Sequence, residues 1–157
     1  MQEKIKFMKA AIELAKENLK SKNGGPFGAL VVKNGKIIGK GINQVVSHND
    51  PTAHAEIIAI REACKYLEDY QLDDCEIYTS CEPCPMCLGA IYWARPKKIY
   101  FAASRNDAES AGFDDSHIYR EIELPNGKRK IPAEQILEQE AIDVFTNWKK
   151  LIDKPEY

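Results

Sequence analysis

The sequence lacks any apolar run near the ~18 residues that a membrane-spanning helix needs. Its first residues alternate charge with apolar side chains (Glu3, Lys4, Ile5, Lys6, Phe7), so a secretory apolar region is missing too. There is no basic excess: 22 Lys and Arg stand against 24 Asp and Glu, a net charge of −2. That argues against a chain whose main work is gripping nucleic-acid phosphates. Repeats, low-complexity tracts and Gly/Ser linkers are absent, and 157 residues is the length of one domain. The cysteine count is five, an odd number, which fits a reducing compartment better than a disulfide framework. What remains is an ordinary globular composition, 44% hydrophobic and 29% charged, and the expected location is the cytoplasm.

From Gln2 to Ser21, Ile5, Met8, Ile12, Ala15 and Leu19 recur every three or four positions. This predicts an amphipathic helix with those residues on its apolar face, ended by Gly24-Gly25-Pro26. Ala29 to Lys33 and Lys36 to Lys40 are β-rich runs joined by Asn34-Gly35, the strongest short hairpin signal. Asp50 as cap and Pro51 at the first position predict a second helix to about Leu67, with Ile57, Ile60, Cys64 and Leu67 on its buried stripe. Glu76 to Ser80 reads as a strand, Pro85 to Arg95 as a helix stopped before Pro96, and Lys98 to Ala102 as another strand. Strand, helix and strand in short succession imply a parallel crossover with helices on the sheet faces. Ser104 to Lys130 is rich in Asp, Ser, Gly and Asn and reads as a long candidate functional loop. A last helix is expected over about Glu138 to Leu151, before a short tail ending at Tyr157.

Two segments carry chemistry. Pro51-Thr52-Ala53-His54-Ala55-Glu56 contains His-x-Glu, and Cys81-Glu82-Pro83-Cys84-Pro85-Met86-Cys87 contains Pro-Cys-x-x-Cys. One imidazole and two thiolates suit Zn²⁺, a tetrahedral, borderline-soft ion. Pro85 marks a helix start, so Cys84 lies near the cap and Cys87 one turn on, along the same face. The partial positive charge of a helix N-terminus favours the thiolate that a metal needs. Three ligands leave a fourth position for water, whose pKa zinc lowers from 15.7 to about 7. Glu56 is then the candidate to move protons. Residues two apart on a regular helix point about 200° from one another, so this reading requires the metal to lie off the helix end.

Other readings of the same residues stay open at this point. Cys81 as a fourth ligand would make a closed Cys₃His structural site. His54 could be a core histidine beside buried cysteines, and Cys-x-x-Cys alone could be a redox pair. Neither explains why the two segments occur together.

His-x-Glu followed by Pro-Cys-x-x-Cys, with 29 residues between His54 and Cys84, resembles the signature of the zinc-dependent nucleobase deaminases, the cytidine and deoxycytidylate deaminase superfamily. The resemblance implies an α/β, cytidine deaminase-like fold of three layers, α/β/α, with a mixed central sheet flanked by helices. It implies His54, Cys84 and Cys87 as ligands of one Zn²⁺ per subunit, with Glu56 as the proton shuttle. Within the superfamily the chain is most similar to the bacterial guanine deaminases, over GGPFGA (24–29), NDPTAHAE (49–56), YQLDDC (70–75), YTSCEPCPMCLGAIYWARPK (78–97), AGFDDS (111–116) and the terminal Glu156-Tyr157. The tRNA adenosine deaminases share Pro-Thr-Ala-His-Ala-Glu but lack Phe-Asp-Asp-Ser and this ending.

Carried across residue by residue, the resemblance implies a pocket for a purine base. Asn43 would hydrogen-bond the purine edge, Phe27 would stack on the ring, Ala55 would border the base and Trp93 would help wall the pocket. Asp115 would accept from the exocyclic amine and act with Glu56. Guanine offers N1–H and its 2-amino group on one edge, and a carboxylate accepts from both. The resemblance also implies a homodimer that exchanges the C-terminal segment, about 131–157, so that Tyr157 of one subunit closes the pocket of the other. Plainer readings accompany these: a turn for Asn43, core packing for Phe27 and Trp93, a solvated pair for Asp114 and Asp115, a frayed tail for Tyr157. His48 and His117 read as surface or outer residues. The expected activity is hydrolytic deamination of guanine to xanthine and ammonia, on a small purine base rather than a nucleic acid or membrane. Guanosine or cytosine in the same site comes next; a tRNA adenosine deaminase or a non-enzymatic zinc-stabilised interaction module comes after.

Overall fold

The computed structural model describes residues 1–155 and divides the chain into two units, Met1–Ser116 and a second from His117 onward. The first unit runs α1 (Gln2–Ser21), β1 (Gly28–Lys33), β2 (Lys36–Ile42), α2 (Val45–His48), α3 (Ala55–Leu67), β3 (Cys75–Cys81), α4 (Pro85–Ala94), β4 (Lys98–Ala103) and α5 (Arg105–Ser110). The four strands form one sheet in the order β2-β1-β3-β4. β1 is antiparallel to both β2 and β3, and β3 is parallel to β4 through α4. The β1–β2 turn places Asn34 at φ 51° and Gly35 at φ 75°, the two left-handed residues a tight hairpin requires.

Alternation along the strands builds two cores. Ala29, Val31 and Ile77 face α3 and α4, while Leu30, Val32 and Tyr78 face α1, where the tilted rings of Phe7 and Tyr78 meet with centres 5.4 Å apart. The sheet is therefore mixed and sandwiched between helices, the cytidine deaminase-like α/β arrangement. Among the described residues no helix is long and apolar enough to cross a membrane.

The faces that α1 and α3 turn to the sheet are centred on small residues, with most of the larger apolar residues of the expected stripes on their flanks. The buried residues of α1 are Phe7, Ala11, Ala15 and Asn18, while Ile5 and Leu19 are exposed. In α3 the fully buried residues are Ala55, Ala59 and Ala63; Ile57, Ile60, Cys64 and Leu67 are only half-buried on its flanks. The reason is close approach. A Cβ on Gly28 would lie 2.4 Å from the Ala11 carbonyl, and one on Gly41 only 1.9 Å from the Ala55 carbonyl. Helix backbone rests almost on strand backbone, so small residues line both sides of the contact. This seats the start of α3, and with it the site, hard against β2.

Two boundaries also differ from expectation. Asp50 does not cap a helix at Pro51: its Oδ1 accepts from the Thr52 N–H (2.8 Å) and hydroxyl (2.7 Å), closing a turn instead. The helix begins four residues later, at Ala55. The stretch expected as a loop holds α5, opened by a reciprocal cap in which Ser104 and Asp107 bond each other's backbone N–H.

In the second unit, α6 (Ser116–Glu123) and a 3₁₀ turn (Asn126–Lys128) precede α7 (Glu138–Lys150). The Arg129 guanidinium donates to the carbonyls of Glu121 and Leu124, both at 3.0 Å, and so closes the end of α6. None of its described residues is buried, and Ile131, Ile136, Leu137, Val144, Phe145 and Ile152 are all exposed.

Candidate active site and metal centre

Two helix N-termini supply the chemistry. His54 is the residue before α3 and has extended backbone, φ −71° and ψ 157°. Cys84 holds the same place before α4, at φ −66° and ψ 169°, with Pro85 as the first helical residue. Its sulfur accepts from the Cys87 N–H at 3.5 Å, so a thiol caps this helix. Because His54 lies outside the helix, the 200° separation of helical i and i+2 positions does not apply to it and Glu56.

The imidazole Nδ1 of His54 lies 3.6 Å from the Cys84 sulfur and 3.5 Å from the Cys87 sulfur. All three donor atoms fall within 4.8 Å of one another. Bond lengths of ~2.3 Å to sulfur and ~2.05 Å to nitrogen, at a tetrahedral angle, put N and S about 3.6 Å apart. The residues therefore fit a zinc ion in both donor type and spacing. Cys81 does not join them. Its thiol points to the Ser104 carbonyl at 3.6 Å, and burial, then the Glu56 charge, pushes its pKa up to about 11. Three protein ligands, not four, is the pattern of a metal centre with an open position.

The electrostatics agree with that pattern. The hydrogen bond from Cys87, then the contact with His54, pulls the Cys84 thiol down to about 4, against burial. The same contact retains the Cys87 proton, whose pKa is driven far up. A divalent cation displaces such a shared proton and takes both sulfurs as thiolates. The Cys84 sulfur also raises the pKa of His54, and the carboxylates of Glu56 and Asp115 add to that. Glu56, the second residue of α3, is only 6% exposed. Burial raises its pKa first, and the Cys84 charge adds to it. An enclosed carboxyl favoured toward its neutral form, beside a metal trio, is suited to exchanging protons.

The acidic pair divides its work. Asp114 Oδ1 accepts from the Ser116 N–H (2.9 Å) and hydroxyl (2.5 Å) at the start of α6. Asp115 is half-buried instead, and its carboxyl is raised by burial and by the charge on Cys84.

Asn43 is buried, and its Oδ1 accepts from the Val45 N–H at 3.2 Å. It thus performs the turn chemistry, while its amide NH₂ takes no partner among the described residues. Phe27 packs against the core, with its ring edge-on to Phe113 at 4.9 Å. Phe113 falls within the AGFDDS stretch, but nothing in the sequence gives it a role of its own. Ala55 is fully buried against β2. Trp93 is 66% exposed on α4 and is not the core residue of the plainer reading. Tyr157 lies outside the described residues.

The profile of the cytidine and deoxycytidylate deaminase zinc-binding region matches residues 1–103. The chain is 57% identical over 151 residues to the guanine deaminase of Bacillus subtilis (strain 168), covering 96% of this chain and 97% of the relative. The X-ray structure of guanine deaminase from Bacillus subtilis superposes with a TM-score of 0.94 at 56% identity, covering 97% of both chains. A solved structure holding 2,6-diaminopurine superposes with a TM-score of 0.67 at 38% identity, covering 69% of this chain and 61% of the other. A tRNA-specific adenosine deaminase of Buchnera aphidicola subsp. Schizaphis graminum is 41% identical over 125 residues, 80% of each chain.

Proposed function

The chain belongs to the cytidine and deoxycytidylate deaminase family, and from that premise we propose that it is a zinc-dependent guanine deaminase, converting guanine and water to xanthine and ammonia. The observation that supports this substrate is the near-full-length likeness to a guanine deaminase, against a shorter and lower one to tRNA deaminases. When bound to His54, Cys84 and Cys87, zinc supplies an activated water as nucleophile.

The chain's own residues supply the rest. Asp115 accepts from the N1–H and 2-amino edge of the base. Oδ1 of Asn43 is held by Val45, which leaves its NH₂ to donate to acceptors on the purine. Phe27 offers its ring as a stacking surface, edge-supported by Phe113. Glu56 takes a proton from the attacking water and delivers it to ring nitrogen N3. Oxygen joins C2; its remaining proton passes to the amine with help from Glu56 and Asp115, and the C2–N bond breaks to release ammonia as the C2 carbonyl forms. The deciding assay measures ammonia release from guanine, guanosine, cytosine and adenine, with and without chelator. Guanine is expected to be the best substrate and the chelator to stop the reaction; a better rate on any other member would replace the substrate.

The segment of about 131–157 is exchanged between two subunits. Its exposed Ile131, Ile136, Leu137, Val144, Phe145 and Ile152 are each worth about 1.5–3 kcal/mol when buried. An apolar surface of this kind marks a protein interface. Mixing Glu56→Gln chains with Tyr157→Ala chains tests the exchange. A swapped dimer restores one intact site per hybrid, whereas no recovery above the two parents means that each chain keeps its own tail. The cytoplasm is the location, since all five cysteines are free thiols; cell fractionation that finds the chain elsewhere would contradict it.

A further inference from the structure

Asn18 lies inside α1, where asparagine is a weak helix former, and it is only 1% exposed. Burying an amide is costly unless it is hydrogen-bonded. Its side-chain hydrogen bonds run to the neighbouring loops and to its own helix end. Its Nδ2 donates to the Gly25 carbonyl at 2.7 Å and to the Asn43 carbonyl at 2.9 Å. Its Oδ1 accepts from the Ser21 hydroxyl at 2.6 Å, which fixes the orientation of the amide.

The two carbonyls belong to the two loops that carry the base-binding candidates. The Phe27 N–H donates to the same Gly25 carbonyl at 2.9 Å, and the Asn43 N–H donates to the Phe27 carbonyl at 3.2 Å. The four bonds close a ring: Asn18, Gly25, Phe27, Asn43 and back to Asn18. Glycines allow it to close. A Cβ on Gly24 would meet Asn43 Oδ1 at 2.0 Å, and one on Gly25 would meet the Phe27 ring at 2.7 Å.

We propose that Asn18 is a positioning residue for the base, acting from α1 through Gly25 and Asn43 to hold the Phe27 ring and the Asn43 amide at a set separation. This rests on the guanine reading of the site. The metal trio and Glu56 lie at the N-terminal ends of α3 and α4, and none of the bonds of the ring reaches them, so the tether governs how the base is held rather than the proton transfers.

The test uses zinc-loaded Asn18→Ala, Asn43→Ala and the double variant. Asn18→Ala is expected to raise KM for guanine about tenfold, the order of two lost buried hydrogen bonds, with kcat changed less than threefold and zinc retained. Because Asn18 acts through Asn43, the double variant is expected to show nearly the KM of Asn43→Ala alone. Additive KM effects, or an unchanged KM in Asn18→Ala, would overturn the proposal. Amide hydrogen exchange gives a readout independent of substrate. In Asn18→Ala the N–H groups of Phe27, Asn43 and Val45 should exchange about tenfold faster, while that of Ile58 at the start of α3 should not change. If wild type ignores guanine, the substrate reading fails while exchange still decides the tether; uniform acceleration, or none at those three, makes Asn18 merely structural.

Discussion

Replacing Glu56 with glutamine is expected to lower guanine turnover by about 10²–10⁴-fold and to leave one zinc per chain. Glutamine keeps the shape and hydrogen-bonding reach of the side chain but cannot accept and release a proton. The fold should tolerate it, because burial already favours the uncharged form of this carboxyl. Zinc should stay, because Glu56 is outside the group formed by His54, Cys84 and Cys87. Ammonia release at saturating guanine and metal analysis on the same sample separate the two roles. Turnover within tenfold of the parent would remove Glu56 from the proton path, and loss of zinc would make it part of the metal's support.

Cys84→Ser should lose zinc by at least ~10²-fold in affinity, beyond what outer-shell losses typically cost, and with it all guanine turnover. The serine variant isolates the metal because Cys84 has a second task as the cap of α4, accepting from the Cys87 N–H. Serine caps well but is a poor partner for zinc. Cys84→Ala loses both tasks and should cost about 1 kcal/mol more in stability than serine does. Denaturant unfolding of both variants without metal, beside zinc titrations, reads the two effects apart. Zinc retained at parental affinity in Cys84→Ser would mean that the three donor atoms do not form the metal site.

What could be read along the chain was governed by short-range rules. Asn34-Gly35 dictates its hairpin because few other pairs adopt two left-handed conformations. Pro85 starts α4 because its missing N–H is not needed there, and that places Cys84 at the cap and Cys87 one turn on. Ser104 to Lys130 reads as loop because its composition is that of loops, although it holds α5 and α6 and the Ser104–Asp107 pair carries a cap signal. The apolar periodicity of α1 and α3 gave the right element and only part of the buried face: Ala15, Met8, Ile60, Cys64 and Leu67 pack inward, but alanines hold its centre. A hydrophobic scale selects large side chains, while backbone-to-backbone contact with Gly28 and Gly41 selects alanine. Asn18 disappears in such a pattern for the same reason: its partners are carbonyls 7 and 25 positions away.

The residue types and local spacings alone established the donor set, one imidazole and two thiolates with a carboxylate beside them, since ligand chemistry is a property of side chains. Only the folded chain decided the coordination number and the orientation of the acids. Cys81 left the metal group because the Ser104 carbonyl lies beside its thiol. Asp114 is engaged by the Ser116 N–H and hydroxyl at the start of α6, while Asp115 is half-buried with its carboxyl raised by burial and by the charge on Cys84. Glu56 could stand next to His54 because the helix starts between them. Each of these depends on where a distant backbone group or a helix end falls in space, which no count along the sequence contains.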